Sequence, residues 1–286
     1  MKKGRLLYNM INLIVLALSA GLFIYTYVLS DKLSHISDSH LLPLVLVTVL
    51  LVHTVKAIRL YLALYGLDMK RSECMKLYCK VTPVSVLLPW KLGEFFRMYC
   101  CGAGLNSLSK GVVIILLDRF FDTMALVCMI MLMCLFLGGT LPVIVYGFLI
   151  FLILVSLIYL AFPGIHEVWK KYLLSSKATE NKILSVKFLD ALNKIYQEVK
   201  SVLKGRGSLL YILSMLAWGV EIGSLYLIHA DAADPSGVIS AYLSAAMGIG
   251  SSNDLQRFVI FTILMLICAY ALIKLFESAF AKRSKE

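Results

Sequence analysis

The chain has 286 residues, of which 60% are hydrophobic and only 16% are charged, and this composition excludes a soluble domain of that length. The formal net charge is +11, but the basic residues lie in short segments between apolar runs. The charge therefore indicates membrane topology rather than nucleic-acid binding. The seven cysteines lack the spacing of a zinc site or a disulfide framework, so we expect reduced packing residues.

Six apolar stretches are long enough to cross a bilayer, which takes about 20 residues. In chain order they cover 7–30, 41–62, 111–137, 142–162, 208–230 and 256–277. The basic N-terminus precedes the first stretch, so the positive-inside rule places it in the cytoplasm. Six crossings return the C-terminus to the same side. The first stretch reaches Leu29 without a small-residue cleavage site, so we expect a retained span rather than a signal peptide.

Two further apolar segments are too short or too interrupted to cross the bilayer. Segment 72–101 is interrupted by Pro89 and Gly93, and segment 237–253 by Gly248 and Gly250. Proline removes a backbone donor and glycine weakens a helix. Each segment is therefore predicted to be a re-entrant hairpin, which enters the membrane and turns back inside protein or a water-filled cavity.

The segment order predicts an all-α polytopic membrane protein with six spans and two oppositely oriented re-entrant hairpins. The first hairpin follows span two from the cytoplasmic side, and the second follows span five from the outer side. Residues 1–138 and 139–286 would then be halves of opposite orientation within one integral membrane domain, 1–286. Inverted repeats that meet at broken helices are typical of transporters.

Charged residues recur inside the apolar segments, where each is costly and therefore indicates function. Asp118 and Asp122 are four residues apart and share one helix face. The full set has six basic residues against five carboxylates: Lys56, Arg59, Lys91, Arg97, Arg119 and Arg257, with Glu94, Asp118, Asp122, Glu221 and Asp254. The small positive excess favours a phosphate or another anionic group as the ligand. All except Asp254 are candidate substrate-binding or translocation residues.

The alternative is that these charges only tie the helices together. In that case Glu94 would pair with Lys91 or Arg97 at helical spacing, and Asp118 and Asp122 would pair with Arg119 or with neighbouring helices. So many buried ions are, however, a costly way to hold a bundle together. His53 lies deep in the second span, and we interpret it as a hydrogen-bonded bundle residue rather than a metal ligand.

Two motifs carry a resemblance to a known family. Pro-x-Lys-x-Gly-Glu-x-x-Arg at 89–97, followed by Asp-Arg-x-x-Asp at 118–122, resembles the transmembrane region of lysylphosphatidylglycerol synthases, a flippase-like domain that also occurs alone in bacterial and archaeal proteins. The resemblance implies a prokaryotic cytoplasmic membrane protein that moves aminoacylated phospholipid or polyprenyl-phosphate-linked sugar. It also implies that the headgroup pathway is lined by Gly93, Glu94, Arg97, Arg119 and Asp122.

The chain departs from the family pattern in two places. Only a short basic tail follows residue 277, so we expect no soluble synthetase domain. The second hairpin has Met247-Gly248-Ile249-Gly250 where such families carry a Pro-Gly-rich turn with a downstream glutamate, and Asp254 would have to replace that acid.

Three functions remain open at this point. The first is a lipid translocator, and the second is a membrane-embedded aminoacyl- or glycosyltransferase that acts on a lipid headgroup. The chain has no Gly-rich phosphate loop, no His-Glu-x-x-His helix and no Gly-x-Ser-x-Gly elbow, so we assign no catalytic residue, cofactor or metal. The third is an assembly factor that recruits a lipid-modifying enzyme.

A cytoplasmic amphipathic helix is predicted over 182–204. Its apolar positions are Leu184, Phe188, Leu192, Ile195, Val199 and Val202, at three- and four-residue steps. Such a face suits the anionic inner leaflet of the membrane. The alternatives are a second copy of the chain or a partner enzyme. Membrane lipids are the expected partners in every case.

Overall fold

The computed structural model describes residues 2–29, 42–67, 69–88, 92–137, 141–175, 180–228 and 253–283, and almost all of them are helical. The helices are α1 (Lys2–Phe23, continued by a π-helical turn, Ile24–Val28), α2 (Leu42–Leu64), α3 (Arg71–Leu87), α4 (Leu92–Gly104), α5 (Leu108–Leu137), α6 (Val143–Leu174), α7 (Glu180–Leu203), α8 (Gly207–Ile228) and α9 (Asn253–Arg283). No strand is present in these ranges. A helix hydrogen-bonds its own backbone N–H and C=O groups, which is necessary inside a bilayer because no water is available there to bind them.

In the described part of the chain, five helices are long and apolar enough to cross a membrane: Leu6–Val28, Leu42–Leu64, Val143–Leu173, Gly207–Leu227 and Phe258–Ala279. They coincide with five of the six predicted spans, and the prediction of a polytopic membrane protein is confirmed. The remaining predicted span, 111–137, lies within α5, a helix of 30 residues. It is not among the five, and its first half carries three charges. The total of six spans stays a prediction.

The segment predicted as the first hairpin forms two helices, α3 and α4, which pack against each other. The crossing is close at Gly93, where a Cβ atom would clash with Ser85 Cα and lie 2.7 Å from the Val84 carbonyl oxygen. A second close crossing joins α4 to α5, since a Cβ on Gly111 would lie 2.8 Å from the Met98 carbonyl oxygen. These two crossings position α4 between α3 and α5.

The helix core has two main apolar clusters. One joins α2, α5, α6, α8 and α9 around Ile130 and Trp218. The other lies around Leu60 and Ile115 and joins α2, α3, α4, α5, α7, α8 and α9. Helix α5 contributes to both clusters and packs directly against α8. Asp118 and Asp122, in the charged first half of α5, are accordingly buried.

Helix α7 forms close to the predicted position, but its apolar positions do not all face the same surroundings. Ile195, Val199 and Val202 pack against the core, whereas Leu184 and Phe188 are exposed. The predicted amphipathic helix is therefore present, and its placement on the membrane surface stays a prediction. The helix docks on α5 and α6 through its second half because those helices already offer apolar surface there.

Part of the hairpin prediction lies outside the described residues. The interruption of the first hairpin at 89–91, with Lys91, is one such part. The second hairpin is another, except that Asn253 begins α9. Re-entry into the membrane stays a prediction for both hairpins.

Candidate functional site

The centre of the candidate site is an ion-pair cluster in which one arginine bridges two aspartates. Asp118 and Asp122 lie one turn apart on α5, as their spacing predicts. Arg59, from α2, donates from Nε to Asp118 Oδ1 at 2.7 Å and from a terminal nitrogen to Asp122 Oδ1 at 2.6 Å. The same nitrogen also donates to the Ser214 hydroxyl of α8 at 2.8 Å. The Arg59 side chain is only 1% exposed, so its guanidinium group is almost completely removed from water.

Asp118 accepts contacts from two more arginines through its other oxygen. Oδ2 lies 2.9 Å from a terminal nitrogen of Arg119 and 3.1 Å from one of Arg97. The Asp118 carboxylate therefore contacts three guanidinium groups, which come from α2, α4 and α5, and it is completely buried. Such charge-assisted contacts stabilise its ionised form and fix α4 against α5.

Glu94 is held more loosely in the same cluster. Its Oε1 accepts a hydrogen bond from the Ser85 hydroxyl at 2.5 Å. Its Oε2 lies 3.6 Å from Arg119 Nε and 3.8 Å from a terminal nitrogen of Arg97. Among the described residues, Glu94 Oε2, Arg97 Nε and Arg119 Nε are buried and have no hydrogen-bond partner. Three polar atoms at one point therefore have unused hydrogen-bonding capacity, which is rare in a folded protein.

Arg119 is the most accessible member of the cluster. Its side chain is 34% exposed, against 4% for Arg97 and 13% for Glu94. Its contact with Asp122 Oδ2 is also long, at 3.6 Å. Arg119 thus borders the buried cluster, with one short ion pair to Asp118 and two longer ones.

The comparison with protein families identifies the fold family. The family model described as the lysylphosphatidylglycerol synthase TM region matches residues 12–273. The chain belongs to this family. The suspected resemblance is thereby confirmed, together with the general assignment to the membrane. Comparison with curated proteins gave no match, and neither did comparison with solved structures.

A second ion pair extends the cluster of this lysylphosphatidylglycerol synthase TM region toward α8. Lys56 Nζ lies 2.9 Å from Glu221 Oε2 and 5.1 Å from the centre of the Trp218 ring. Trp218 Nε1 donates to the backbone oxygen of Asp122 at 3.0 Å. Polar contacts therefore join α2, α5 and α8 at two successive turns, one at Arg59 and one at Lys56 and Trp218.

His53 lies on the same helix as Lys56, one turn earlier, and connects different elements. Its two ring nitrogens contact the Tyr78 hydroxyl at 2.8 Å and the Thr262 hydroxyl at 3.2 Å. It thereby joins α2 to α3 and α9. These contacts agree with our interpretation of His53 as a hydrogen-bonded bundle residue.

Eight predicted site residues of this TM region lie in the two ion-pair groups: Lys56, Arg59, Glu94, Arg97, Asp118, Arg119, Asp122 and Glu221. Their formal charges sum to zero, with four cations and four carboxylates. Gly93, also a predicted site residue, lies at the close contact between α3 and α4, and its place in the headgroup pathway stays a prediction. Lys91 lies outside the described residues, and so do the side chains of Asp254 and Arg257. The predicted positive excess depends on these undescribed groups and stays a prediction.

Sequence reasoning missed three polar neighbours of the cluster. The Ser85 hydroxyl donates a hydrogen bond to Glu94, and the Ser214 hydroxyl accepts one from Arg59. The Trp218 indole donates to the backbone oxygen of Asp122. Serine and tryptophan are common in apolar helices, so nothing in the sequence distinguishes these positions. Only the charged residues, which are rare in such helices, gave a readable signal.

Proposed function

We propose that the protein translocates a lipid with an anionic headgroup across the membrane in which it lies. Membership of the family supports a role in handling lipid headgroups. Aminoacylated phospholipids and polyprenyl-phosphate-linked sugars are the proposed substrates, in a prokaryotic cytoplasmic membrane with both termini in the cytoplasm. The acyl or prenyl chains would stay in the bilayer while the headgroup passes through the protein.

The observation that carries this proposal is the position of Arg119. It belongs to a buried cluster, yet one third of its side chain is exposed. A guanidinium group presents several donors and binds phosphate oxygens well. Arg119 could therefore contact a headgroup from the accessible side while remaining paired with Asp118 on the other.

The unused donors of the cluster point to the same ligand. Arg97 Nε and Arg119 Nε are buried without hydrogen-bond partners in the described structure. A phosphate oxygen is an acceptor that would satisfy either one. Lys91 and Arg257 are proposed to supply further positive charge, since the described cluster is neutral and cannot alone balance an added anion.

The carboxylates have a complementary role in this mechanism. Glu94 accepts one hydrogen bond from Ser85, and its Oε2 has no donor in the described structure. That oxygen would accept a hydrogen bond from a cationic part of the headgroup, or would carry a coupling proton. Asp118 and Asp122 would hold Arg59 and Arg119 in place throughout.

The helix lengths support the proposed re-entrant arrangement. Helix α3 has 17 residues and α4 has 13, so they are about 26 Å and about 20 Å long at the usual rise. The hydrocarbon core is about 30 Å thick. Two packed helices that are both shorter than this suit a hairpin that enters the membrane and returns. On the proposed inverted-repeat model, the halves 1–138 and 139–286 would rearrange around the cluster to give alternating access.

The test is lipid movement in proteoliposomes with headgroup-labelled phospholipid and polyprenyl-phosphate probes. Wild type is expected to move at least one probe, and Arg119→Gln is expected to abolish that movement. Lys110→Gln is the matched control, because Lys110 precedes the cluster on the same helix. The proposal would be contradicted if Arg119→Gln moved each lipid probe that wild type moves, and at the wild-type rate. Covalently altered lipid after incubation with activated donors would instead indicate a transferase.

A further inference from the structure

Glu94 differs from the other carboxylates of the two ion-pair groups because it has no short ion pair. Asp118, Asp122 and Glu221 each have a carboxylate oxygen within 2.9 Å of a basic nitrogen. The basic nitrogen nearest to Glu94 in the described structure is Arg119 Nε, at 3.6 Å from Oε2. That oxygen is also buried without a hydrogen-bond partner there. Of these four carboxylates, Glu94 is therefore the one whose negative charge is stabilised least.

The described surroundings of Glu94 come from three helices. Helix α3 contributes the Ser85 hydroxyl, at 2.5 Å from Oε1. Its own helix, α4, contributes a terminal nitrogen of Arg97 at 3.8 Å from Oε2, and α5 contributes Arg119. Asp118 contacts both arginines as well. The two Nε donors without partners thus belong to the same two guanidinium groups that flank the loosely held Glu94 carboxylate.

A bound phosphate would place a second negative charge beside Glu94. A phosphate oxygen that accepts from Arg119 Nε at about 2.9 Å would lie at most about 6.5 Å from Glu94 Oε2, because Oε2 is 3.6 Å from the same nitrogen. Like charges so close together favour the uncharged form of a carboxyl group. Positive charge elsewhere in the protein would offset the anion overall but would leave this repulsion in place.

Close packing holds Glu94 at this position. The preceding residue, Gly93, packs so tightly on α3 that a Cβ atom there would clash with Ser85 Cα. The Ser85 hydroxyl suits both states of the Glu94 side chain, since a hydroxyl can donate to a carboxylate and accept from a carboxylic acid. Protonation would therefore remove the charge of Glu94 without breaking its contact with α3.

We propose that Glu94 takes up one proton when a phosphodiester headgroup binds at Arg97 and Arg119, and releases it when the headgroup leaves. This inference rests on the proposed function, because it assigns a coupling proton to the same site. A phosphodiester carries one negative charge, so one proton keeps the described cluster neutral. Headgroup entry and exit would then each require a change in the charge of Glu94.

The experiment is isothermal titration calorimetry of the purified full-length protein in detergent with dihexanoylphosphatidylglycerol, whose phosphodiester stays singly charged between pH 6 and pH 8. Titrations in two buffers of different ionisation enthalpy give the number of protons taken up for each lipid bound. Wild type is expected to take up about one proton, and its affinity should fall by up to about tenfold for each unit of rising pH.

Two variants locate the proton. Glu94→Gln is neutral and of the same size, so it should bind the lipid without proton uptake and with equal affinity at pH 6, 7 and 8. Glu73→Gln is the matched control, because Glu73 is exposed in the first turn of α3 and makes no contact with the cluster in the described structure. It should take up the wild-type number of protons.

The possible failures are distinguishable. Proton uptake that persists in Glu94→Gln would overturn the inference, and so would the absence of lipid binding by wild type at every pH. Binding by wild type without proton uptake would also overturn it, while leaving the proposed function standing. Wild-type affinity in Arg119→Gln would place the lipid outside the cluster and refute the inference as well. Proton-linked binding without lipid movement in proteoliposomes would instead refute translocation and retain the role of Glu94.

Discussion

Arg59 reaches Asp118 across 59 positions of sequence, and the two side chains form a 2.7 Å ion pair that is almost completely buried. The pair joins α2 to α5 at the level where α8 also contacts both helices. A buried ion pair adds little net stability when both partners are present, because desolvation offsets the attraction. It becomes important when one partner is removed.

Substituting Arg59 should therefore destabilise the protein strongly. Arg59→Met leaves Asp118 and Asp122 without their bridging cation, and the loss of one partner of a buried pair costs about 3–5 kcal/mol. The measurement is thermal unfolding of the purified protein in detergent. Arg71→Met is the control, since Arg71 is exposed and bonds only the Tyr61 hydroxyl in the described structure. Equal unfolding temperatures for the two variants would show that the bridge has no structural role.

The two aspartates should differ in their effects. Asp118 contacts three arginines and is fully buried, whereas Asp122 has one short contact, with Arg59, and one long contact, with Arg119. Asp118→Asn is therefore expected to lower the unfolding temperature more than Asp122→Asn does. The same thermal assay measures both variants side by side. The reverse order would mean that the described contacts do not set the stability of the cluster.

Glu94 should matter for transport more than for folding. Glu94→Gln keeps an acceptor for the Ser85 hydroxyl and changes no packing volume, but it removes the charge near Arg97 and Arg119. We expect lipid movement in proteoliposomes to be lost while the thermal unfolding temperature stays near that of wild type. Ser85→Ala is the control for the hydrogen bond alone, and it should retain transport. Normal transport by Glu94→Gln would exclude this carboxylate from the headgroup pathway.

The sequence predicted most of the charged cluster because charge is rare inside apolar helices. The spacing of Asp118 and Asp122 placed them on one face, and the ion pairs considered for Glu94 with Arg97 and for Asp118 with Arg119 are present. The bridge from Arg59 was not predictable, because it depends on how α2 packs against α5. Helix packing is set by the fit of many apolar side chains, and this information is spread over the whole sequence.

The surroundings of α7 could not be predicted for a related reason. Periodicity identified the helix and its apolar positions but could not tell which of them meet protein and which stay exposed. Val202 is buried against the core while Phe188 is exposed, although both lie in the same periodic pattern. Amphipathic spacing predicts which side of a helix is apolar. How much of that apolar side is covered by protein depends on the position and length of the neighbouring helices.

Gly93 offers a test of the α3–α4 crossing itself. Gly93→Ala introduces a Cβ atom that clashes with Ser85 Cα and lies 2.7 Å from the Val84 carbonyl oxygen, and backbone atoms cannot yield as a flexible side chain can. The two helices must separate, at a cost of about 1–3 kcal/mol for overpacking. The same movement would shift Glu94 on α4 relative to Arg119 on α5, which lies 3.6 Å from its Oε2. Gly147→Ala is the matched control, because a Cβ on Gly147 of α6 meets nothing within 4 Å. We expect Gly93→Ala to lower both the thermal unfolding temperature and the transport rate, and Gly147→Ala to leave both near wild type. Wild-type behaviour of Gly93→Ala would mean that α3 and α4 do not cross as closely as described.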